Sequence, residues 1–338
     1  PVPLIKRLLG RDSGFFWRQS VKGIKTMIRV SVVGLGTMGP GIAATLARGG
    51  MSVSAYDIDP AAVDRGSDGV EIANKVLDAL GKVDDSQGDI ELTSDLAACV
   101  TDSDLVIETI PEDINLKLNL FRQLESLVSK ECVLASDSSG IPVSKLQEGS
   151  VNPERFVGMH WSNPPHIIPM IEVIAGSQTS QKVVDWMVAS IRGLDLIPVV
   201  VKKDIPGFVE NRVLYALLRE CIDLVEQEVI DPVDLDTCVS WGIGYKLAVI
   251  GPMALLDMAG LDIYQAVGSY LNQELCGRTD VSDLIKKATG SGNLGMKTGQ
   301  GIFKYSAEDI GKLRKQRGES LVAVRKALDS VVVPSSND

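Results

Sequence analysis

Histidine is nearly absent from this chain of 338 residues, which holds only His160 and His166. If an imidazole moves a proton near neutral pH, the choice is between those two. Cysteine is sparse as well. Cys99, Cys132, Cys221, Cys238 and Cys276 form no C-x-x-C pair, and their odd number fits no closed set of disulfides. They read as buried, reduced thiols of a cytoplasmic protein. Cys221 and Cys238, in apolar helical contexts, read as core rather than as activated nucleophiles. Positive charge is short too, with 34 Lys and Arg against 44 Asp and Glu, a net charge of −10. This balance argues against a nucleic-acid partner and against an anionic membrane surface, while leaving room for a local cationic pocket. No apolar run reaches the roughly 20 residues that a membrane span requires. What remains, 45% apolar and 23% charged residues, is the mix of a globular protein with enough chain for two domains.

The most informative stretch is VVGLGTMG, residues 32–39. A β-favouring run over 28–33 leads into G-x-G-x-x-G, and a segment of mostly small residues from Pro40 to Arg48 reads as the helix that leaves it. Gly34 permits the tight turn, Gly36 lets the backbone approach a pyrophosphate, and Gly39 lets the helix pack closely on the strand. Leu35, Thr37 and Met38 complete the turn, and the first N–H groups of the helix face the phosphates. A second strand over 53–57 ends in Asp57, about 20 residues past the glycines, where a carboxylate accepts hydrogen bonds from ribose hydroxyls. A 2′-phosphate there meets a like charge, so the pattern favours NAD over NADP.

Residues 1–26 differ from the rest, with Lys6, Arg7, Arg11, Arg18, Lys22 and Lys25 against the single acid Asp12. They read as an appended basic extension or surface arm, with a transit peptide as the alternative. Helix periodicity runs over 60–80, and residues 84–90 read as a polar loop. Strands are expected over 104–108, 132–136, 155–161, 170–175 and 197–202, with helices between several of them. That alternation predicts a Rossmann-type, doubly wound parallel sheet. From Gly207 onward long helices take over, with Leu214, Leu217, Leu218, Cys221, Leu224 and Val225 on one face. The expected division is therefore an α/β NAD-binding domain over 27–204 and an all-α domain over 205–338, with the active site in the cleft between them. The α-helical domain has more apolar faces than one bundle buries, which predicts a homodimer.

His160 ends an expected strand, and Glu172 lies on the next one after a loop containing three prolines. Two neighbouring strands so joined can set an imidazole beside a carboxylate that orients it and raises its basicity. A satisfied structural histidine is the alternative reading. His166 reads as part of the loop. No metal-ligand spacing stands out.

The ordered blocks VVGLGTMG, Asp57, DLVIETIPEDINLK, ASDSS, RFVGMHWSNP, MIEVI, KKDIPGFVENR and GMKTGQGIFKY resemble the L-3-hydroxyacyl-CoA dehydrogenase family over residues 28–306. The resemblance implies that His160 is the general base, Glu172 its orienting carboxylate, and Ser139 and Asn211 the groups that position the reacting oxygen. It also implies cofactor contacts from Glu112, Lys117, Ser139, Asn163 and Lys297. Two positions depart from the usual pattern: Trp161-Ser162 replaces a phenylalanine pair, and Gly140 replaces the second serine of a Thr-Ser-Ser run. With the runs HWSNPPHIIPMIEVIAG and DLDTCVSWGIGYK, these departures resemble a branch that oxidises a formylpyridine carboxylate rather than a thioester. A hydrated aldehyde carries a hydrogen and a hydroxyl on one carbon, as a secondary alcohol does, so the same His-Glu pair serves. An anionic substrate in an acidic protein needs a cation, for which Arg212 and Lys246 are candidates. Trp161, Tyr215, Trp241 and Tyr245 are candidates for ring stacking. The other readings are a 3-hydroxyacyl-CoA dehydrogenase and a non-catalytic, crystallin-like NAD binder.

Overall fold

The computed structural model describes residues 27–81 and 88–330. The basic extension over 1–26 and part of the expected loop over 84–90 lie outside them. Two compact units divide between Asn211 and Arg212.

The first unit is built on one sheet with the strand order β3-β2-β1-β4-β5-β6-β7-β8. The strands are β1 Arg29–Val33, β2 Ser52–Tyr56, β3 Ile90–Thr93, β4 Leu105–Glu108, β5 Val133–Ser136, β6 Phe156–Trp161, β7 Met170–Ile174 and β8 Ile197–Val201. Every neighbouring pair is parallel except β6 and β7. Because β1 is flanked by β2 on one side and β4 on the other, the strand order reverses there. Ligands in doubly wound sheets bind beyond the strand ends at that reversal.

Helices cover both faces, which is why the central strands are continuous apolar runs rather than alternating ones. On one face Ile42 and Leu46 from helix Gly39–Arg48 and Met187 and Ile191 from helix Gln181–Gly193 share a core with Val32, Ile107 and Val157. On the other, Phe121 and Leu124 of helix Ile114–Leu127 pack with Val106, Leu134 and Phe156. The Phe121 and Phe156 ring centroids are 5.0 Å apart. Truncating a fully buried residue such as Leu124 to alanine costs about 2–5 kcal/mol by transfer and cavity terms together.

The sheet has one strand more than the sequence suggests. Ile90–Thr93 pairs with β2 at the edge of the sheet, where its half-exposed, partly polar residues give no apolar run to read. The short helix Leu96–Val100, capped by Asp95 accepting from Ala98 N at 3.0 Å, was equally illegible, since one turn and a half shows no periodicity.

The second unit is helical. Its main elements are the body of Glu210–Glu226, then Pro252–Ala259, Leu261–Glu274, Asp283–Gly290 and Ala307–Asp329. The last begins with a capping box formed by Ser306 and Asp309. Only isolated bridges joining Gly295, Gln300 and Lys304 stand in for strands there among the described residues. No single helix among the described residues is long and apolar enough to cross a membrane; Pro232–Leu247 and Pro252–Ala259 pass that test only together, across an 86° bend.

Candidate active site

At the end of β1 the chain turns through Gly34, whose φ of 113° favours glycine. An added Cβ there would stand 2.8 Å from Thr109 Oγ1, and one on Gly39 would collide with the Gly34 carbonyl. Gly36 is different: a Cβ there meets nothing within 4 Å. Protein packing does not require that glycine, so the bare backbone leaves space for a ligand. The helix that follows has no side-chain cap at Met38, and its first N–H groups are available to an anion. Leu35 differs from its neighbours, since its side chain lies in the core and its N–H donates to Asp57 Oδ2 at 2.8 Å. Asp57 also accepts from Asp59 N at 3.0 Å through its other oxygen. Open backbone, uncapped helix and strand-end carboxylate fit a dinucleotide. Gly36, Thr37 and Met38 would hold its phosphates and Asp57 its ribose.

β6 and β7 meet in register with His160 opposite Glu172. His160 Nδ1 and Glu172 Oε2 are 2.8 Å apart, and the two residues are 5% and 1% exposed. The other oxygen of Glu172 accepts from Val209 N at 3.0 Å and Glu210 N at 3.1 Å, at the start of helix Glu210–Glu226. One carboxylate thus orients the ring and satisfies the first N–H groups of a helix, whose positive end favours its charge. Phe208, in the left-handed region at φ 47°, turns the chain into that helix and sets its ring centroid 5.9 Å from that of His160. A non-glycine residue held so costs on the order of 1–3 kcal/mol.

Burial opposes charge on His160 and is the largest single influence. The hydrogen bond to Glu172 and the charges of Asp137, Glu172 and Glu210 together outweigh it, so the pKa lies above the ordinary imidazole value. For Glu172 burial again acts first and upward, but the bonds from His160, Glu210 and Val209 hold the carboxyl below the usual range. The pair is a charged acceptor facing a basic ring. His160 Nε2 has no hydrogen-bond partner among the described residues, so it is the nitrogen left open to a ligand.

Glu112 organises the loop after β5. Its Oε1 accepts from Ser138 Oγ at 2.5 Å, Gly140 N at 2.9 Å and Ser139 N at 3.1 Å. Ser139 in turn offers its carbonyl to Asn211 Nδ2 at 2.8 Å, so the two residues named as oxygen-positioning groups are brought together. Lys117 differs from the expectation of a cofactor contact. It is 1% exposed, its ammonium lies 2.6 Å from Glu108 Oε1 and 3.4 Å from Glu112 Oε2, and it also donates to the Ile110 carbonyl. A cation buried this deeply needs those partners, so Lys117 braces the end of β4 and does not open to the crevice.

Trp161 is a correction. Successive side chains on a strand point to opposite faces. His160 faces Phe208, so Trp161 points into the opposite core, 2% exposed beside Val157 and Ile171, and stacks on no substrate. Cys238 is another: it is exposed rather than core, because the second unit leaves its apolar helix faces uncovered. Burial pushes the Cys132 thiol up to about 12 and raises those of Cys99 and Cys221, so none of these three is an activated thiolate. Burial lowers the pKa of His166, whose Nδ1 is buried without a partner; the ring stays neutral beside Gly41. Asn163 is exposed near the start of the loop after β6. Arg212, Lys246 and Lys297 belong to the second unit and are exposed, and there Trp241 stacks on Tyr245 at 6.4 Å.

Two acids were missed in the sequence. Asp137 accepts from Trp161 N at 2.8 Å and is pushed up to about 8 by burial. Glu210 accepts from Ser162 Oγ at 2.5 Å. The departure at Ser162 and the acid beside Asn211 were the available signals, but only the fold joins them. One nitrogen of His160 and one oxygen each of Glu172 and Glu210 lie within 4.8 Å of one another. Such a donor set suits a divalent cation by type, although Glu172 and Ser162 already engage its members.

A phosphate-binding glycine turn, a ribose-side acid and a His-Glu pair on one parallel sheet define a Rossmann-type dehydrogenase. The chain belongs to the 3-hydroxyacyl-CoA dehydrogenase family: residues 29–205 match its NAD-binding domain and residues 207–305 its C-terminal domain. It is 56% identical over 306 residues to a 5-formyl-3-hydroxy-2-methylpyridine 4-carboxylate 5-dehydrogenase of Mesorhizobium japonicum, covering 90% of this chain and 99% of that protein. A crystal structure of a 5-dehydrogenase for that acid, described as an NAD+-dependent dismutase, superposes with a TM-score of 0.88 at 55% identity, covering 90% of this chain and all of that one. A probable 3-hydroxybutyryl-CoA dehydrogenase of Deinococcus radiodurans is 36% identical over 283 residues, covering 82% of this chain and all of that protein. The present chain is an NAD-dependent dehydrogenase.

Proposed function

We propose that this protein oxidises 5-formyl-3-hydroxy-2-methylpyridine-4-carboxylate to 3-hydroxy-2-methylpyridine-4,5-dicarboxylate, a step of vitamin B6 degradation. The similarity to the Mesorhizobium enzyme supports the substrate. The observation that carries the chemistry is the His160–Glu172 pair at 2.8 Å, with Nε2 directed away from the carboxylate. The substrate reacts as its hydrate. His160 Nε2 removes a proton from one hydroxyl, and Glu172 stabilises the imidazolium that forms. Ser139 and Asn211 orient the oxygen. Bound NAD would supply the hydride acceptor for the same carbon. In the opposite direction, protonated His160 supplies the proton when the aldehyde is reduced to an alcohol, so one site serves both halves of a dismutation.

The protein works as a homodimer in the cytoplasm. Helices Glu210–Glu226, Pro252–Ala259 and Leu261–Glu274 bury no residue, and Tyr215, Met253, Met258 and Tyr264 are 51–74% exposed. Apolar faces of that extent call for a partner, and a second copy is the partner of matching chemistry. All five cysteines are free, as a reducing compartment keeps them.

Parallel assays test the substrate. Formation of NADH from the formylpyridine carboxylate and NAD is expected; turnover confined to acetoacetyl-CoA with NADH makes the protein a 3-hydroxyacyl-CoA dehydrogenase. Light scattering at micromolar concentration is expected to give twice the chain mass, and a monomer mass refutes the dimer.

A further inference from the structure

We propose that Glu210, held by Ser162, is a second proton acceptor of this active site and activates the water that hydrates the formyl group. The inference deepens the aldehyde reading above and rests on it.

Hydration calls for an acceptor besides His160. Oxidation of a secondary alcohol releases one hydroxyl proton, and one base suffices. Conversion of an aldehyde and water into a carboxylate releases two protons besides the hydride: one leaves the water during hydration and needs a base while His160 is the acid at the formyl oxygen, and the other leaves as the carboxylic acid product ionises. A second carboxylate stands beside His160: oxygens of Glu210 and Glu172 and a nitrogen of His160 lie within 4.8 Å of one another. Glu172 is fully engaged, by His160 on one oxygen and by Val209 N and Glu210 N on the other. Glu210 is not. One oxygen accepts from Ser162 Oγ at 2.5 Å, and the other has no hydrogen-bond partner among the described residues. The residue is half-buried, whereas Ser162 is 4% exposed. A buried hydroxyl therefore fixes one end of a carboxylate whose other end remains available to water.

The fold explains why these groups converge. Side chains two apart on a strand share a face, so Ser162, just past β6, extends on the side of His160 while Trp161 goes to the opposite core. The left-handed Phe208 brings Glu210 to the same place by starting the helix against Glu172.

The step balances as follows. Glu210 takes a proton from water as the water oxygen bonds to the formyl carbon. The carbonyl π pair moves onto the formyl oxygen, which takes a proton from the His160 imidazolium. His160 is then neutral, beside the hydroxyl it has just protonated, and removing that proton in the oxidation restores the imidazolium. Of the two protons released overall, one is on Glu210 and the other leaves as the carboxylic acid product ionises. The raised pKa of His160 keeps the imidazolium accessible near neutral pH.

The test uses the full chain with 5-formyl-3-hydroxy-2-methylpyridine-4-carboxylate in ¹⁸O-water without NAD, reading label entry into the formyl oxygen by mass spectrometry. Oxidation with NAD and reduction with NADH are then measured on the same samples. Glu210→Gln is expected to lower catalysed exchange and the ratio of oxidation to reduction rates by about tenfold or more, Ser162→Ala by less, with Glu210→Asp restoring part of both. A purely structural clamp lowers oxidation and reduction together. That result, or unchanged exchange in Glu210→Gln, overturns the proposal while leaving the aldehyde reading intact. If the unsubstituted protein acts on acetoacetyl-CoA alone, the substrate reading fails first and the proposal with it.

Discussion

His160 and Glu172 face each other as a register pair of β6 and β7, the one antiparallel junction in the sheet, with Nδ1 and Oε2 2.8 Å apart. Directly opposed residues on antiparallel strands have their Cβ atoms about 5 Å apart, within reach of a short hydrogen bond. Glu172→Gln keeps the shape but reverses the polarity, because an amide N–H aimed at Nδ1 selects the tautomer with a proton on Nε2. Turnover is expected to fall by about a hundredfold or more. Steady-state kcat with circular dichroism as a fold control checks this, and turnover near that of the unsubstituted protein refutes the orienting role.

The pH profile follows from the same pair. Hydride transfer from the hydrate needs neutral His160, whose pKa is raised by the hydrogen bond to Glu172 and the charges of Glu172 and Glu210 against burial. With the hydrated aldehyde as the substrate, kcat/KM for oxidation should therefore rise with pH through an inflection above the ordinary imidazole value of 6.5, and the NADH-driven reduction should fall through it. His160→Ala should abolish both limbs and lower kcat by roughly a hundredfold or more.

Asp57 accepts from Leu35 N at 2.8 Å, so its replacement is expected to change the cofactor preference both through charge and through the turn. Asp57→Ser should raise KM for NAD and narrow the preference over NADP, by about tenfold for each 1.4 kcal/mol of repulsion removed. The ratio of kcat/KM for the two cofactors measures it, and an unchanged ratio assigns the preference elsewhere.

Asp137 carries a pH dependence of stability. Burial raises its folded pKa from 3.8 to about 8, so folding favours the neutral acid. Its contribution is complete below the unfolded value and is lost as pH rises through about 8. In Asp137→Asn the side-chain amide does not titrate, and its oxygen can still accept from Trp161 N. The Tm of Asp137→Asn minus that of the unsubstituted protein should therefore grow from pH 5 to pH 9. A difference that stays constant contradicts the buried, neutral assignment.

The cluster of His160, Glu172 and Glu210 should work without a metal, since Glu172 and Ser162 already occupy its members. Turnover after EDTA treatment and desalting is expected to be unchanged; a loss restored by zinc would assign the cluster to metal binding.

The sequence by itself determined the glycine turn, the acid ending β2 and the parallel order of the central strands. Each depends on local backbone demands or on apolar runs, which neighbouring residues record. It offered the pairing of His160 with Glu172 beside the alternative of a structural histidine, and the register of β6 on β7 decided between them. It also carried the change from strands to long helices after Gly207. Only the tertiary structure decided the edge strand Ile90–Thr93, the inward turn of Lys117 onto Glu108, the placement of Trp161 in the core, and the meeting of Ser162 with Glu210. The physical reason is range. Glu210 lies on a helix start 48 residues beyond Ser162, and the face a side chain takes is fixed by strand register and by the left-handed pair Gly207 and Phe208 that turns the chain. Composition and spacing record neither.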